Sequence, residues 1–376
     1  MTLTQTPLST SVWNQRADVA QRSLDLLYGA RWPQLLHNSH PARDDATFNY
    51  WWLAHAIDVR LDGYRRTGDE ALLDSARAIA RNIRERNEGS LFNDYFDDML
   101  WYALALLRLA DAVGPGSEQA GVESDVLALW EHVSTHGRTP IHGDSVSWRR
   151  QQPGYKNTPA NGPYAILGAR LARRTGDRQY LTDALVALNW VRAHLVADDG
   201  FVWDGLGREG GEAIDSDWDF TYNQGLYVGA CVEAYRCTQE QDWLDQAERT
   251  ARASVAVFAR DGVLAPDGMG PEDGSSGGDT GLFKGVWFRY MADLLIEREV
   301  PEVRDLIVSS TETLWQQCTT TAGELALADG APPVEPDAVV LRPGDDWSAP
   351  ATARVGFSTL LSAIMAIEVR TQVEGD

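Results

Sequence analysis

The sequence predicts an all-α chain of six helical hairpins closed into an (α/α)6 toroid. Three observations predict it. Apolar residues recur at three- and four-residue spacing from end to end, with few alternating β-branched runs. A short helix-ending motif repeats along the chain. The remaining connections are long and rich in Gly, Asp and Trp. The spacing places helices at 10–29, 46–66, 70–87, 97–113, 121–136, 161–175, 179–196, 222–238, 242–260, 281–298, 301–319 and 352–373. The repeat is Arg65-Arg66-Thr67-Gly68-Asp69, echoed by Arg173-Arg174-Thr175-Gly176-Asp177 and more faintly by Arg236-Cys237-Thr238-Gln239-Glu240. Each copy ends one helix and opens the next: Gly68 and Gly176 can supply the left-handed C-cap conformation, and Asp69 and Asp177 can cap the following N-terminus. Such hairpins also suit an open superhelix. The long connections 137–160, 197–221, 261–280 and 320–351 favour closure, because a toroid gathers them on one face as the lining of a cleft.

No shift in composition marks a seam, so residues 1–376 read as a single domain expected to act as a monomer. The formal charge of −22 argues against nucleic acid, whose binding needs massed Lys and Arg against phosphate. No apolar run approaches the ~20 residues of a membrane span. Met1 to Trp13 lacks the basic and apolar regions of a secretion signal, and the chain reads as cytoplasmic. Cys231, Cys237 and Cys318 are odd in number and lack C-x-x-C spacing, and the seven histidines show no ligand spacing, so no metal is expected. Asp215, Asp217 and Asp219 alternate beside Glu212 without the spacing of a calcium loop and read as solvated.

Asn93-Asp94-Tyr95-Phe96-Asp97-Asp98-Met99-Leu100-Trp101-Tyr102 opens the fourth helix. Two readings fit it. Acids favour a helix N-terminus, where they meet free N–H groups and the positive end of the dipole. Three acids among aromatic rings also suit a partly dry, sugar-sized pocket. Glycoside hydrolysis with retention needs one ionised carboxylate to attack the anomeric carbon and one protonated carboxyl to supply the leaving oxygen. Like charges this close push their ionisations apart, which divides the labour without assigning either role.

These residues are similar to a known family. The Asp-Asp pair of Tyr95-Phe96-Asp97-Asp98, with Trp101 downstream, resembles the catalytic signature of glycoside hydrolase family 76, the endo-α-1,6-mannanases. Trp148, Tyr155-Lys156-Asn157-Thr158 with Asn161, Trp203-Asp204 within Gly200 to Gly205, Tyr222-Asn223-Gln224-Gly225, and Phe283-Lys284-Gly285 with Arg289-Tyr290 resemble further motifs in the family's order. The likeness runs from about Trp51 to Ile367. It implies the toroid, retention, Asp97 as nucleophile, Asp98 as general acid/base, no metal or organic cofactor, and an α-mannoside oligo- or polysaccharide as substrate. It further implies substrate contacts from Asn93, Trp101, Trp148, Lys156, Asn157, Asn161, Asp204, Tyr222, Asn223, Gln224 and Lys284. Phe96, Tyr102 and His142-Gly143-Asp144 depart from the usual pattern. A cytoplasmic member would meet short oligosaccharides rather than intact mannan.

Lys156 and Lys284 are the only lysines in an arginine-biased chain, and both fall inside these motifs. Each position therefore needs a compact ammonium, for a buried structural contact or for a sugar. Among the fourteen tryptophans, Trp51, Trp52, Trp101, Trp148, Trp203, Trp218, Trp287 and Trp347 fall near the expected loop face, where two or three would serve as sugar platforms. Two other readings remain: transfer of the glycosyl group to a second sugar, and a non-catalytic glycan-binding toroid. Sugar epimerases and unsaturated uronyl hydrolases share the fold.

Overall fold

A computed structural model describes residues 11–268 and 273–374. Residues 1–10, on which the absence of a secretion signal chiefly rests, lie outside the described residues, as does the expected helix start at residue 10. Among the described residues twelve α-helices form: α1 (Val12–Tyr28), α2 (Tyr50–Thr67), α3 (Glu70–Arg86), α4 (Phe96–Val113), α5 (Ser117–His136), α6 (Thr158–Thr175), α7 (Arg178–His194), α8 (Thr221–Thr238), α9 (Gln241–Phe258), α10 (Thr280–Glu297), α11 (Pro301–Cys318) and α12 (Phe357–Glu374).

Their burial separates two rings. α3 and α9 bury one stripe and carry charge on the other face. α8 and α12 are buried almost all round through their first fourteen residues. The even-numbered helices pack each on the next, and α12 packs on α2 to close the ring. The chain is thus an (α/α)6 toroid. The sixth pair differs from the sequence expectation of consecutive hairpins, because α1 packs against α12 and joins the two ends of the chain.

The repeated turns fold as their residues require. Gly68 and Gly176 end α2 and α6 in the left-handed conformation, and Asp69 and Asp177 accept hydrogen bonds from the N–H groups of Ala71 and Gln179. In the fainter copy Gln239 adopts the same conformation, φ 61°, without being glycine, and Glu240 makes no side-chain cap. The third turn keeps the geometry and loses half of its chemistry.

The long connections are more ordered than expected. Strands Arg138–Thr139, Ser145–Arg149, Gln152–Asn157 and Gly205–Leu206 form a four-stranded antiparallel sheet over the mouth of the ring. The alternation Ser145-Val146-Ser147-Trp148 carries a period of two, but over too few residues to stand out from a loop. The helix predicted at 352 starts at Phe357, because Val355–Gly356 pairs with Ser39–His40 first.

Candidate active site

The inner helices run parallel. Their N-terminal ends surround a cavity of about 550 Å³ lined by Asp97, Asp98, Asp204 and Asp279, with aromatic rings between them. The positive ends of the helix dipoles therefore converge on a group of carboxylates.

Asn93 builds the first half of the site. Its Oδ1 accepts the Tyr95 N–H at 2.8 Å, turning the chain into α4, and its Nδ2 donates to Asp98 Oδ2 at 3.0 Å. Tyr95 bridges to Arg149, and the Arg150 N–H donates to Asp94 O at 2.9 Å, so the strand Ser145–Arg149 is fixed against the start of α4. Trp148 is thereby set to donate its indole N–H to Asp97 Oδ2 at 3.0 Å. Asp97 Oδ1 is enclosed and has no side-chain partner among the described residues.

Burial raises the Asp97 carboxyl to about 7, opposed by the Trp148 indole and by the N–H groups of the first helical turn. Asp98 lies well above the usual carboxylate range, because of burial first and then the negative charge of Asp97. The pair is asymmetric. Asp97 has the donors that favour an anion, and its charge holds the proton on Asp98.

Asp204 builds the opposite wall. The strand Gln152–Asn157 pairs with Gly205–Leu206, and the Thr158 N–H donates to Asp204 O at 2.8 Å, which ties this loop to the start of α6. Gly205 is required there, since a Cβ would meet the Tyr155 ring at 2.6 Å. Asp204 accepts from the Tyr155 hydroxyl at 2.6 Å, the Tyr222 hydroxyl at 3.1 Å, Asn223 Nδ2 at 3.1 Å and Arg208 at 3.0 Å. Burial still raises its carboxyl above the ordinary value. Between the two walls run Trp101, Trp51, Phe283 and Tyr222, the last two stacked at 3.8 Å.

Of the residues named from sequence, Asp97, Asp98, Trp101, Trp148, Asn157, Asp204 and Tyr222 line the cavity, as do Trp51 and Trp218 among the candidate platforms. The others do not, and each has a physical reason. Lys156 is fully buried and donates to the backbone carbonyls of Thr139, Gly143 and Ser145, which uses all three of its protons. Lys284 donates to Asp345 O and lies 3.9 Å from the Trp347 ring centroid. Both lysines are loop anchors, and burial lowers each ammonium to about 8.

Asn161 exchanges two hydrogen bonds with Val146, and Gln224 does the same with Val202. Asn223 supports Asp204 and Asn93 supports Asp98. These amides act on the protein rather than opening onto the cavity. Trp287 and Trp347 are fully buried, and Trp287 donates to Ser254 at 2.9 Å. Phe96 and Tyr102 point into the core, so their departure from the family pattern does not alter the cavity wall. Sequence reasoning missed Arg208, Phe220, Asp279 and Thr280, while Tyr95 and Phe283 fall inside the motifs quoted above.

The chain matches the model of Glycosyl hydrolase family 76 over residues 11–329. It belongs to that family. Among curated relatives it is 30% identical over 285 residues to the mannan endo-1,6-alpha-mannosidase DCW1 of Saccharomyces cerevisiae, covering 70% of this chain and 61% of the yeast protein. The matched region spans about half to two thirds of the length of the curated relatives. The family-76 fold superposes on the GH76A alpha-1,6-mannanase of Salegentibacter sp. HEL1_6 with a TM-score of 0.83 and 30% identity, covering 96% and 99% of the two chains. An inactive variant of that mannanase, with two adjacent aspartates replaced by asparagine, has been solved with alpha-1,6-mannotriose; it matches with a TM-score of 0.82 and 29% identity, covering 96% and 99% of the two chains. Among the described residues no helix is long and apolar enough to cross a membrane.

Proposed function

We propose that the protein hydrolyses α-1,6-mannosidic linkages with retention, through a covalent mannosyl-enzyme intermediate on Asp97. The observation that carries this is the asymmetry of the pair. Asp97 accepts the Trp148 indole N–H and sits at a helix N-terminus, while Asp98 is held protonated by burial and by its neighbour's charge. The mannan endo-1,6-α-mannosidases and α-1,6-mannanase among its relatives support the choice of substrate.

In the first step an Asp97 carboxylate oxygen bonds to the anomeric carbon as the glycosidic C–O bond breaks, and Asp98 passes its proton to the leaving oxygen. In the second, water attacks the same carbon, Asp98 takes its proton, and the ester bond to Asp97 breaks. Trp148 holds the nucleophile, Asn93 holds the acid, and the aromatic wall between Trp101 and Tyr222 offers ring faces to sugar C–H surfaces. Asp204, whose two oxygens already accept four protein donors, holds Tyr222 and the wall of the cavity in place.

Proton NMR of α-1,6-mannotriose during the first minutes of digestion tests the reading. The new reducing end should be α before mutarotation. A β product, or no cleavage of any α-1,6-mannoside, would contradict it.

A further inference from the structure

Asp279 stands at the N-cap of α10, yet its carboxylate makes no cap hydrogen bond. Its Oδ1 instead accepts the indole N–H groups of Trp51 at 3.0 Å and Trp52 at 2.9 Å, both at the start of α2. Two consecutive indoles converge on one oxygen. The contact crosses the mouth of the ring past α12, which packs between α10 and α2. The second oxygen has no partner among the described residues, and the exposed carboxylate lines the cavity.

Trp51 is the ring this arrangement holds. It lies between Trp101 and Phe283, with centroids 6.2 Å away on either side at interplanar angles of 31° and 33°. It is half-buried with its ring on the cavity, so its orientation sets the plane of the aromatic wall. An indole anchored at its only polar atom keeps that plane without the entropy of a free χ2 rotation.

We propose that Asp279 is a positioning and specificity residue: Oδ1 fixes Trp51 as the wall on which a sugar ring stacks, and Oδ2 accepts a hydroxyl hydrogen of that ring. The inference rests on the glycosidase reading of this cavity. A carboxylate with a free lone pair selects a neutral ring bearing a donor at that place. With Asp97 and Asp204 around the same space, and Arg208 already paired with Asp204 and Asp215, it disfavours uronic or phosphorylated rings.

Steady-state kinetics on α-1,6-mannotriose test it with Asp279→Ala, Asp279→Asn, Trp51→Ala and the Asp279→Ala/Trp51→Ala double variant. A hydrogen bond to a charged group and an oriented stacking face together lead to a KM at least about tenfold higher in Asp279→Ala, with kcat changed far less. Asp279→Asn keeps an oxygen for the indoles and should recover part of the loss. The double variant should be no worse than Trp51→Ala by more than the hydroxyl contact, short of the product of the two single effects. An unchanged KM in Asp279→Ala, or single effects that multiply in full, would overturn the proposal.

Indole 15N–1H resonances read the anchor without sugar. The Trp51 and Trp52 signals, assigned by single Phe replacements, should move in Asp279→Ala and stay closer to wild type in Asp279→Asn; unmoved signals overturn the anchoring. A wild-type protein that neither binds nor cleaves the trisaccharide would sink the functional reading, and the indole signals would still decide the anchor.

Discussion

The two mouths of the toroid each hold deeply set carboxylates, and they differ in the company those carboxylates keep. At the N-terminal mouth of the inner ring, Asp97 and Asp98 face an indole, an amide and each other, and burial raises both. At the C-terminal mouth, Asp62 accepts from Arg108 and from Arg289 at 2.7 Å, and these two arginines hold its carboxyl well below the ordinary range despite the desolvation that opposes them. Glu233 is likewise bound by Arg170, Arg173 and Arg236, and falls below its ordinary value.

The helix dipoles explain the division. Inner-helix C-termini concentrate negative charge, which arginines neutralise, whereas N-termini can carry acids without counter-ions. The C-terminal mouth also opens on the larger cavity, about 680 Å³, but its lining charges are largely paired with one another. Cavity size does not locate chemistry here; unmatched charge does.

The largest expected effect of breaking this contrast is on rate. Asp97→Asn and Asp98→Asn should each lower kcat on α-1,6-mannotriose by about a thousandfold or more, with circular dichroism unchanged. Near-wild-type turnover in either would remove that residue from its role. Next in size is Asp62→Ala, which leaves the Arg289 guanidinium without its hydrogen-bonded anion and Arg108 with Asp58 alone. Removing one partner of a buried ion pair costs about 3–5 kcal/mol, measurable by denaturant unfolding, while kcat of the folded fraction should hold.

A smaller change sharpens the N-terminal mouth alone. Activity needs Asp97 ionised and Asp98 protonated, so kcat/KM should rise with pH through about 7, where Asp97 loses its proton, and fall above it as Asp98 follows. Trp148→Phe removes a donor that favours the Asp97 anion. The rising limb should then move to higher pH with a loss of about tenfold near neutrality. An unmoved limb would mean that Trp148 packs without tuning the nucleophile.

The helices and the Asp97–Asp98 pair are legible in sequence, whereas the arginine-bound carboxylates of the other mouth and the rest escape it for identifiable reasons. Helices show themselves through a period repeated over four or five turns, so all twelve were found and the Gly68 and Gly176 caps fell where expected. The sheet over the mouth was missed because its strands are two to six residues long. The pairing of α1 with α12 joins residues more than 300 positions apart, which no local pattern encodes.

At the site, Asp97 and Asp98 carried a local signature. The scarcity of lysine correctly marked Lys156 and Lys284 as constrained, but composition could not say that the constraint was a set of backbone carbonyls. The resemblance implies sugar contacts from Asn161, Asn223 and Gln224; in place, Asn161 and Gln224 hold loop backbone and Asn223 holds Asp204. Asp279 gave no signal at all, since its meaning depends on two indoles 227 and 228 residues away.

The distinction between compensated and uncompensated carboxylates is tested most directly by the thermal unfolding of Asp98→Asn beside wild type across pH. A carboxyl raised on folding favours the folded state below its unfolded value near 4, and that contribution is lost as pH rises through the folded value. Asp98→Asn should therefore melt above wild type at pH 7, and the gap should shrink as pH falls toward 4. A variant that melts below wild type at pH 7, as Asp62→Ala should, or a gap that ignores pH, would contradict it.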